Sequence, residues 1–283
     1  MSNARTTLSD ELLRAEGLLI QGQAEQSREL LSRLAEDAEE YVDRNCPTTD
    51  ELQWFSFPTL FERLAYRRVE RDPRELRDVG EPFDRLYADL ALANVHCGDY
   101  ESAAVALRQA VRWNPMGCEH RLNLADLCRV AGDMREYLAL SFSVFERASE
   151  ASHLVRAFVN FAEYFVAAEM PRAAAAALRV ARRIDSDDRS LAASLEHAAG
   201  TEADPDTLTD EEATQALEAE GLPDGANAEV AICLLMCASD AAALGQRDVA
   251  TNLTIRARDL VGEKAAKALL SLIHEGDEDD ASE

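Results

Sequence analysis

The sequence predicts an all-α protein, a right-handed α-solenoid of stacked antiparallel helical hairpins, and three observations carry that expectation. Alanine supplies 49 of 283 residues, aromatics only 6%, with 12 Gly and 8 Pro; small residues and few breakers favour helix over sheet. Apolar residues recur at three- and four-residue steps through most of the chain. A 34-residue period then joins the helices into pairs: Gly98-Asp99-Tyr100 returns as Gly132-Asp133-Met134, Ala91 as Ala125, and Ala110 as Val144. Units of that length hold two short helices, and neither pair buries its apolar face alone, so they stack.

In chain order, residues 1–45 read as a first hairpin, Leu8 to Tyr41, with small residues at Ala15, Gly22 and Ser27. Residues 46–82 are an aromatic-rich insertion holding Trp54, Phe55, Phe57, Phe61 and Tyr66. It is expected to form one long helix from Asp50 to Arg71, bent near Pro58. Trp54 and Phe57 are expected to cap the open end of the array, with projection into its groove as the alternative.

Residues 83–188 contain three central units. The first pairs a helix from Phe83 to Val95, striped by Leu86, Tyr87, Leu90 and Ala91, with a second striped by Tyr100, Ala103, Leu107 and Ala110. Gly98 ends the former in a left-handed turn and Asn114-Pro115 ends the latter. The second unit, Cys118 to Ala151, keeps Ala125 and Gly132. The third, Val155 to Asp188, keeps Ala162, Ala174 and Ala181 but puts Glu169-Met170-Pro171 where the turn glycine belongs.

Residues 189–227 form an acidic linker with a short helix to Ala199 and another from Asp210 to Glu220, started by Thr209 with acids on the positive end of the helix dipole. This second helix is a candidate occupant of the groove. Residues 228–274 give a last hairpin with Ala238, Gly245, Ala250 and Ala257, and residues 275–283 an acidic tail expected to be disordered.

Ala91, Gly98, Tyr100, Ala103, Ala110 and Pro115 occupy nearly every signature position of a tetratricopeptide repeat, which the segment Asp84 to Pro115 resembles. The layout, with an acidic linker before a last hairpin, also resembles a group of bacterial tetratricopeptide proteins. The resemblance implies that the first helix of each unit lines a concave groove where partner segments bind. Its groove-facing positions would be Arg85, Ala88, Leu92 and His96; Glu119, Leu122, Asp126 and Arg129; and Arg156, Val159, Glu163 and Val166. Arg85, His96, Glu119, Leu122, Asp126, Arg129, Arg156 and Glu163 are the partner-binding candidates. The family's clamp for a C-terminal carboxylate uses Lys, Arg and Asn, whereas Ala88, Leu92, Leu122 and Asp126 stand here, so that partner class is not expected.

Net charge is −25, from 54 acidic and 29 basic residues, which argues against nucleic acid as a partner because phosphate binding needs clustered bases. The charge is uneven. Residues 201–224 contribute −9 and 275–283 contribute −6 without one Lys or Arg, while residues 84–188 sum to only −3. A mixed-charge central groove suits a protein or peptide partner. No phosphate loop, nucleophile elbow or dinucleotide fingerprint occurs, so no catalysis and no cofactor are expected. His96, Cys97, Cys118, His120 and Cys128 cluster in sequence, but they fall at opposite ends of successive helices, and no metal site is expected. Without a secretory signal or a membrane-length apolar run, the expectation is a cytoplasmic protein with six free thiols and no membrane contact. An enzyme accessory or a peptide-sensing regulator using the same groove remains the alternative function.

Overall fold

The computed structural model describes residues 7–185 and 187–280. Among them are fourteen α-helices and one two-stranded sheet, so the chain is helical in class. Its contacts divide it between Asp133 and Met134 into two compact units.

The first unit runs α1 (Leu8–Ile20), α2 (Ala24–Asn45), β1 (Leu52–Phe55), α3 (Leu60–Glu70), β2 (Glu75–Asp78), α4 (Phe83–His96), α5 (Tyr100–Trp113) and α6 (Cys118–Val130). α1 pairs with α2 and α4 with α5, while α2 lies against α4 and α6 against α5. Thr7 starts α1 by exchanging hydrogen bonds with Asp10. Where α1 and α2 cross, Ala15 and Ser27 are both fully buried, and the Ser27 hydroxyl donates to the Ala15 carbonyl at 2.9 Å. Small side chains permit that approach. Leu12, Leu31, Leu86 and Trp113 join in the core beneath.

Gly98 turns α4 into α5 at φ +77°, and Asp99 then caps α5 by accepting from the Ser102 amide. A Cβ at Gly98 would meet no atom within 4 Å, so backbone strain alone governs its replacement. Gly98→Ala is therefore expected to cost about 1 kcal/mol, read as a drop in the denaturant midpoint with unchanged m-value.

The insertion differs from the single bent helix expected for Asp50 to Arg71. β1 and β2 pair in parallel, Leu52 opposite Glu75 through Phe55 opposite Asp78, and α3 is the crossover between them. Parallel neighbours need a connection of about a dozen residues or more, usually helical. Residues Gln53-Trp54-Phe55 prefer extended backbone, and Pro58 denies a helix its continuity across this point. Thr59 and Glu62 then form a capping box that begins α3. Arg71 ends it at φ +52°.

The Tyr66 ring packs on Phe55 and Phe57 at 4.7 and 5.7 Å between centroids, and its hydroxyl donates to Asp72 at 2.8 Å. Hydrogen bonds from Arg74 hold the Asp72 carboxyl well below the usual carboxylate range. The Ser56 amide donates to the Trp113 carbonyl at 2.9 Å, fixing the insertion to the end of α5. Trp54 rests half-buried on the first unit's core.

The second unit contains α7 (Met134–Phe145), α8 (Ala151–Ala167), α9 (Pro171–Ile184), α10 (Arg189–Ala198), a 3-10 turn (Pro205–Thr207), α11 (Asp210–Ala219), α12 (Ala228–Ala243), α13 (Arg247–Val261) and α14 (Glu263–Asp280). α7 is locked to α8 by Tyr137, whose hydroxyl donates to the Asn160 carbonyl at 3.1 Å, and by the Asn160 amide, which donates to Ser141 at 2.9 Å. All three residues are buried, so each polar group needs its partner.

α9 lies between α8 and α11, which is why Ala173 through Ala177 are all buried. Its C-terminal half presents arginines to the acidic segment. Arg179 donates to Asp210 at 2.6 Å and to the Pro205 carbonyl at 3.1 Å, Arg182 donates to Asp206 at 2.6 Å, and Arg183 to the Asp224 carbonyl at 2.6 Å. The stretch read as a linker is thus docked along α9, and α11 packs on α9.

The last hairpin, α12 and α13, reaches the connection between α7 and α8. Arg256 of α13 donates to the Ser149 carbonyl at 3.2 Å and pairs with Glu150 at 2.8 Å, while Asn227 donates to the Glu146 carbonyl at 2.9 Å. These carbonyls lie between α7 and α8, where no helical amide is available to them. α14 extends through Glu275 to Asp280, where a disordered tail was expected, because its alanine- and leucine-rich body propagates helix readily. Ala281 to Glu283 lie outside the described residues. No helix among the described residues is long and apolar enough to cross a membrane.

Candidate functional site

A cleft of about 700 Å³ opens in the second unit between α8, α9, α10 and the turn after α10. Its wall on α8 is Ala162, Glu163 and Val166, one face of that helix by their spacing of one, three and four residues. Leu178 of α9 and Ala198 of α10 are buried below, and Ala203 closes the far side. Glu163, Glu169, His197 and Glu202 supply the titratable groups, and no Lys or Arg lines the space. Val166 is 57% exposed, an apolar side chain left in the open.

α8 ends beside this cleft in an unusual way. Gly22, Gly98 and Gly245 make the turns of the α1–α2, α4–α5 and α12–α13 hairpins at φ between +75° and +77°, whereas Glu169, between α8 and α9, adopts φ +58° with a full side chain. A β-carbon in the left-handed region costs roughly 1–2 kcal/mol, which glycine avoids.

A second cluster lies in the first unit, where α1 meets α4. The Arg85 guanidinium donates to Glu16, its Nε at 2.8 Å, and lies 3.8 Å from Asp89 one turn along α4. The Asp89 side chain is only 15% exposed, and its Oδ2 has no hydrogen-bond partner. Burial, with the Glu16 charge adding to it, pushes the Asp89 carboxyl up to about 7.

The eight candidates from sequence divide between the units. Arg85 is engaged with Glu16 and Asp89. His96, Glu119 and Arg129 are exposed, and Asp126 is half-buried. Leu122 is a correction: it is 0% exposed and belongs to the core. α6 buries Cys118, Leu122, Leu124, Ala125 and Cys128, an arc wider than the single stripe through Leu124, Ala125 and Cys128 on which its outward reading was based. Val159, also read as groove-facing, is likewise buried. Arg156 is half-buried on α8, and Glu163 is exposed at the cleft with Val166.

Glu16, Asp89, His197 and Glu202 were not singled out from sequence. Asp89 had a local signal in its i,i+4 spacing from Arg85. Glu16 had none, being 69 residues from Arg85. Glu169 was visible as a missing turn glycine, without a reason attached to it.

All six cysteines are free thiols, with Cys46, Cys118, Cys128 and Cys233 buried. Burial pushes the His120 imidazole below its usual range. Among the described residues, no group of three or more His, Cys, Asp or Glu is placed to hold a metal ion. No protein-family model matches the chain, and no curated protein matches it.

Proposed function

We propose that the protein is a non-catalytic interaction scaffold of the cytoplasm, built from tetratricopeptide-like hairpins, that binds a peptide or helix of a partner protein along the first helices of its hairpins. The cleft at α8 carries this reading. It is apolar at its base, wide enough for several side-chain anchors, and bounded by Glu163 and Val166, two positions read as groove-facing from the repeat pattern alone. Leu92, another such position, is 47% exposed on α4. Six free thiols accord with a reducing compartment.

The test is partner capture by the full chain and by Leu92→Asp and Val166→Asp variants. Both sites are exposed, so folding is unaffected, and circular dichroism verifies that. A defined partner recovered by the wild type is expected to be lost with at least one variant. Recovery of the same partners by all three proteins, or of none by any, overturns the assignment.

A further inference from the structure

We propose that the α8–α10 cleft takes a cationic amphipathic segment of a partner protein, seating apolar side chains at Val166 and Leu178 with lysine or arginine against Glu169 and Glu202. This rests on the scaffold reading and specifies the chemistry of its ligand.

Charge complementarity is the first argument. Of the basic residues close to the cleft in sequence, Arg179, Arg182 and Arg183 are committed to Asp210, Asp206 and Asp224, while Arg172 and Arg189 are exposed and outside its lining. Among the described residues no ion pair engages Glu169 or Glu202, and no base lines the cleft. A low-dielectric floor beneath carboxylates of one sign focuses their field outward and selects a cation. The apolar floor excludes a merely charged ligand as the best fit, since Val166 stays in water unless an apolar group covers it.

The second argument is the αL residue at the cleft mouth. Three hairpin turns, at Gly22, Gly98 and Gly245, use glycine, and this one uses Glu169 at φ +58°. A residue less stable than glycine for its backbone thus stands at the rim of the cleft, where its carboxylate faces the ligand we propose. Stability and binding then make opposite demands on the same position.

The experiment uses the full chain and two synthetic helical peptides with one leucine pattern, the first lysine-rich and the second glutamate-rich, titrated by fluorescence anisotropy at physiological salt. The lysine peptide is expected to bind and the glutamate peptide not to. Glu169→Gly is expected to raise the Tm while weakening the lysine peptide, a combination that misfolding does not produce. Glu169→Gln with Glu202→Gln is expected to weaken it about tenfold. Val166→Asp is expected to weaken it as well, although the substitution adds attractive charge.

Removing two charges elsewhere, Glu36→Gln with Asp37→Asn, is the control and leaves affinity unchanged. Three results overturn the proposal: tighter binding by Val166→Asp, equal loss in the control, or equal binding of the two peptides. Binding of a long-chain alkylamine in place of the peptide, with the same variant sensitivity, also overturns it in favour of a small cationic ligand. If neither peptide binds while partner capture still depends on Val166, the cationic assignment fails and the scaffold reading stands.

Discussion

Phe158→Ala is expected to destabilise the second unit by about 3–5 kcal/mol, the range for truncating a fully buried aromatic. Phe158 is 0% exposed on α8, with its ring 4.6 Å from that of Phe145 at the end of α7. Phe145 in turn lies 5.8 Å from Phe161, so the three rings form the hydrophobic joint between α7 and α8. Alanine leaves a void that Leu154, Val155 and Ala162 on the same helix cannot fill without moving α8 itself. The aromatic contacts contribute further beyond their area. α8 also carries Asn160, whose hydrogen bonds to Tyr137 and Ser141 weaken if the helices separate. Hydrogen exchange at α8 and α9 amides reads the effect directly: protection is expected to fall by two to three orders of magnitude, about 1.4 kcal/mol per factor of ten. Protection within tenfold of wild type at those amides would show that α7 and α8 are joined elsewhere.

The same helix shows which features the sequence made legible. Helix stripes and the glycine turns at Gly98, Gly132 and Gly245 are local properties, because a 3.6-residue period and a left-handed residue are decided within a few positions. The structure has positive φ at each of those glycines. The insertion failed for an equally physical reason. Its aromatic run satisfies a helix stripe and a short strand alike, and length decides between them only once Pro58 is read as a boundary rather than a bend. Parallel pairing of Leu52–Phe55 with Glu75–Asp78 is a contact across more than twenty residues, which periodicity does not encode.

Site residues divide in the same way. Glu163 and Val166 are exposed as helix phase predicts, while Val159 on the same helix is buried. Leu122 was misplaced because phase gives a direction and not the width of the buried arc, which depends on how many neighbours α6 has. Glu16 joins Arg85 only when α1 is laid against α4, so no reading of either helix alone contains the pair. The acidic segment shows a further limit of composition. Nine negative charges in residues 201–224 read as a solvated linker until the arginines of α9 are seen opposite them.

Asp89→Asn is expected to stabilise the first unit at pH 8 by about 2 kcal/mol and to remove a slope in its stability between pH 4 and 7. The groups facing Asp89 are Glu16 from α1 and Arg85 and Asp84 from α4. Burial and the Glu16 carboxylate both oppose its ionisation, Arg85 favours it, and the opposition prevails, with the carboxyl at about 7. In the unfolded chain an aspartate titrates near about 3.9. Between those values the folded state holds a proton that the unfolded state has lost, so stability is greatest below pH 4 on this account and declines as pH rises through 7. Three pH units of separation correspond to about 4 kcal/mol at full strength; residual solvent contact at a site 15% exposed and relaxation of Arg85 toward Asp89 reduce this to about half. Asp72 acts with the opposite sign, since Arg74 holds it ionised and its contribution disappears in acid. Wild-type stability is therefore expected to peak on the acid side of neutrality, with Asp72 protonation setting the lower limb and Asp89 ionisation the upper. Denaturant midpoints from about pH 2 to 8 test this, the lower limb lying below the unfolded aspartate value of about 3.9. The asparagine variant loses the upper limb and keeps the lower, because its amide presents no charge to Glu16 at any pH while Arg74 and Asp72 are untouched. A parallel fall of both proteins between pH 4 and 7 would assign the limb to another group.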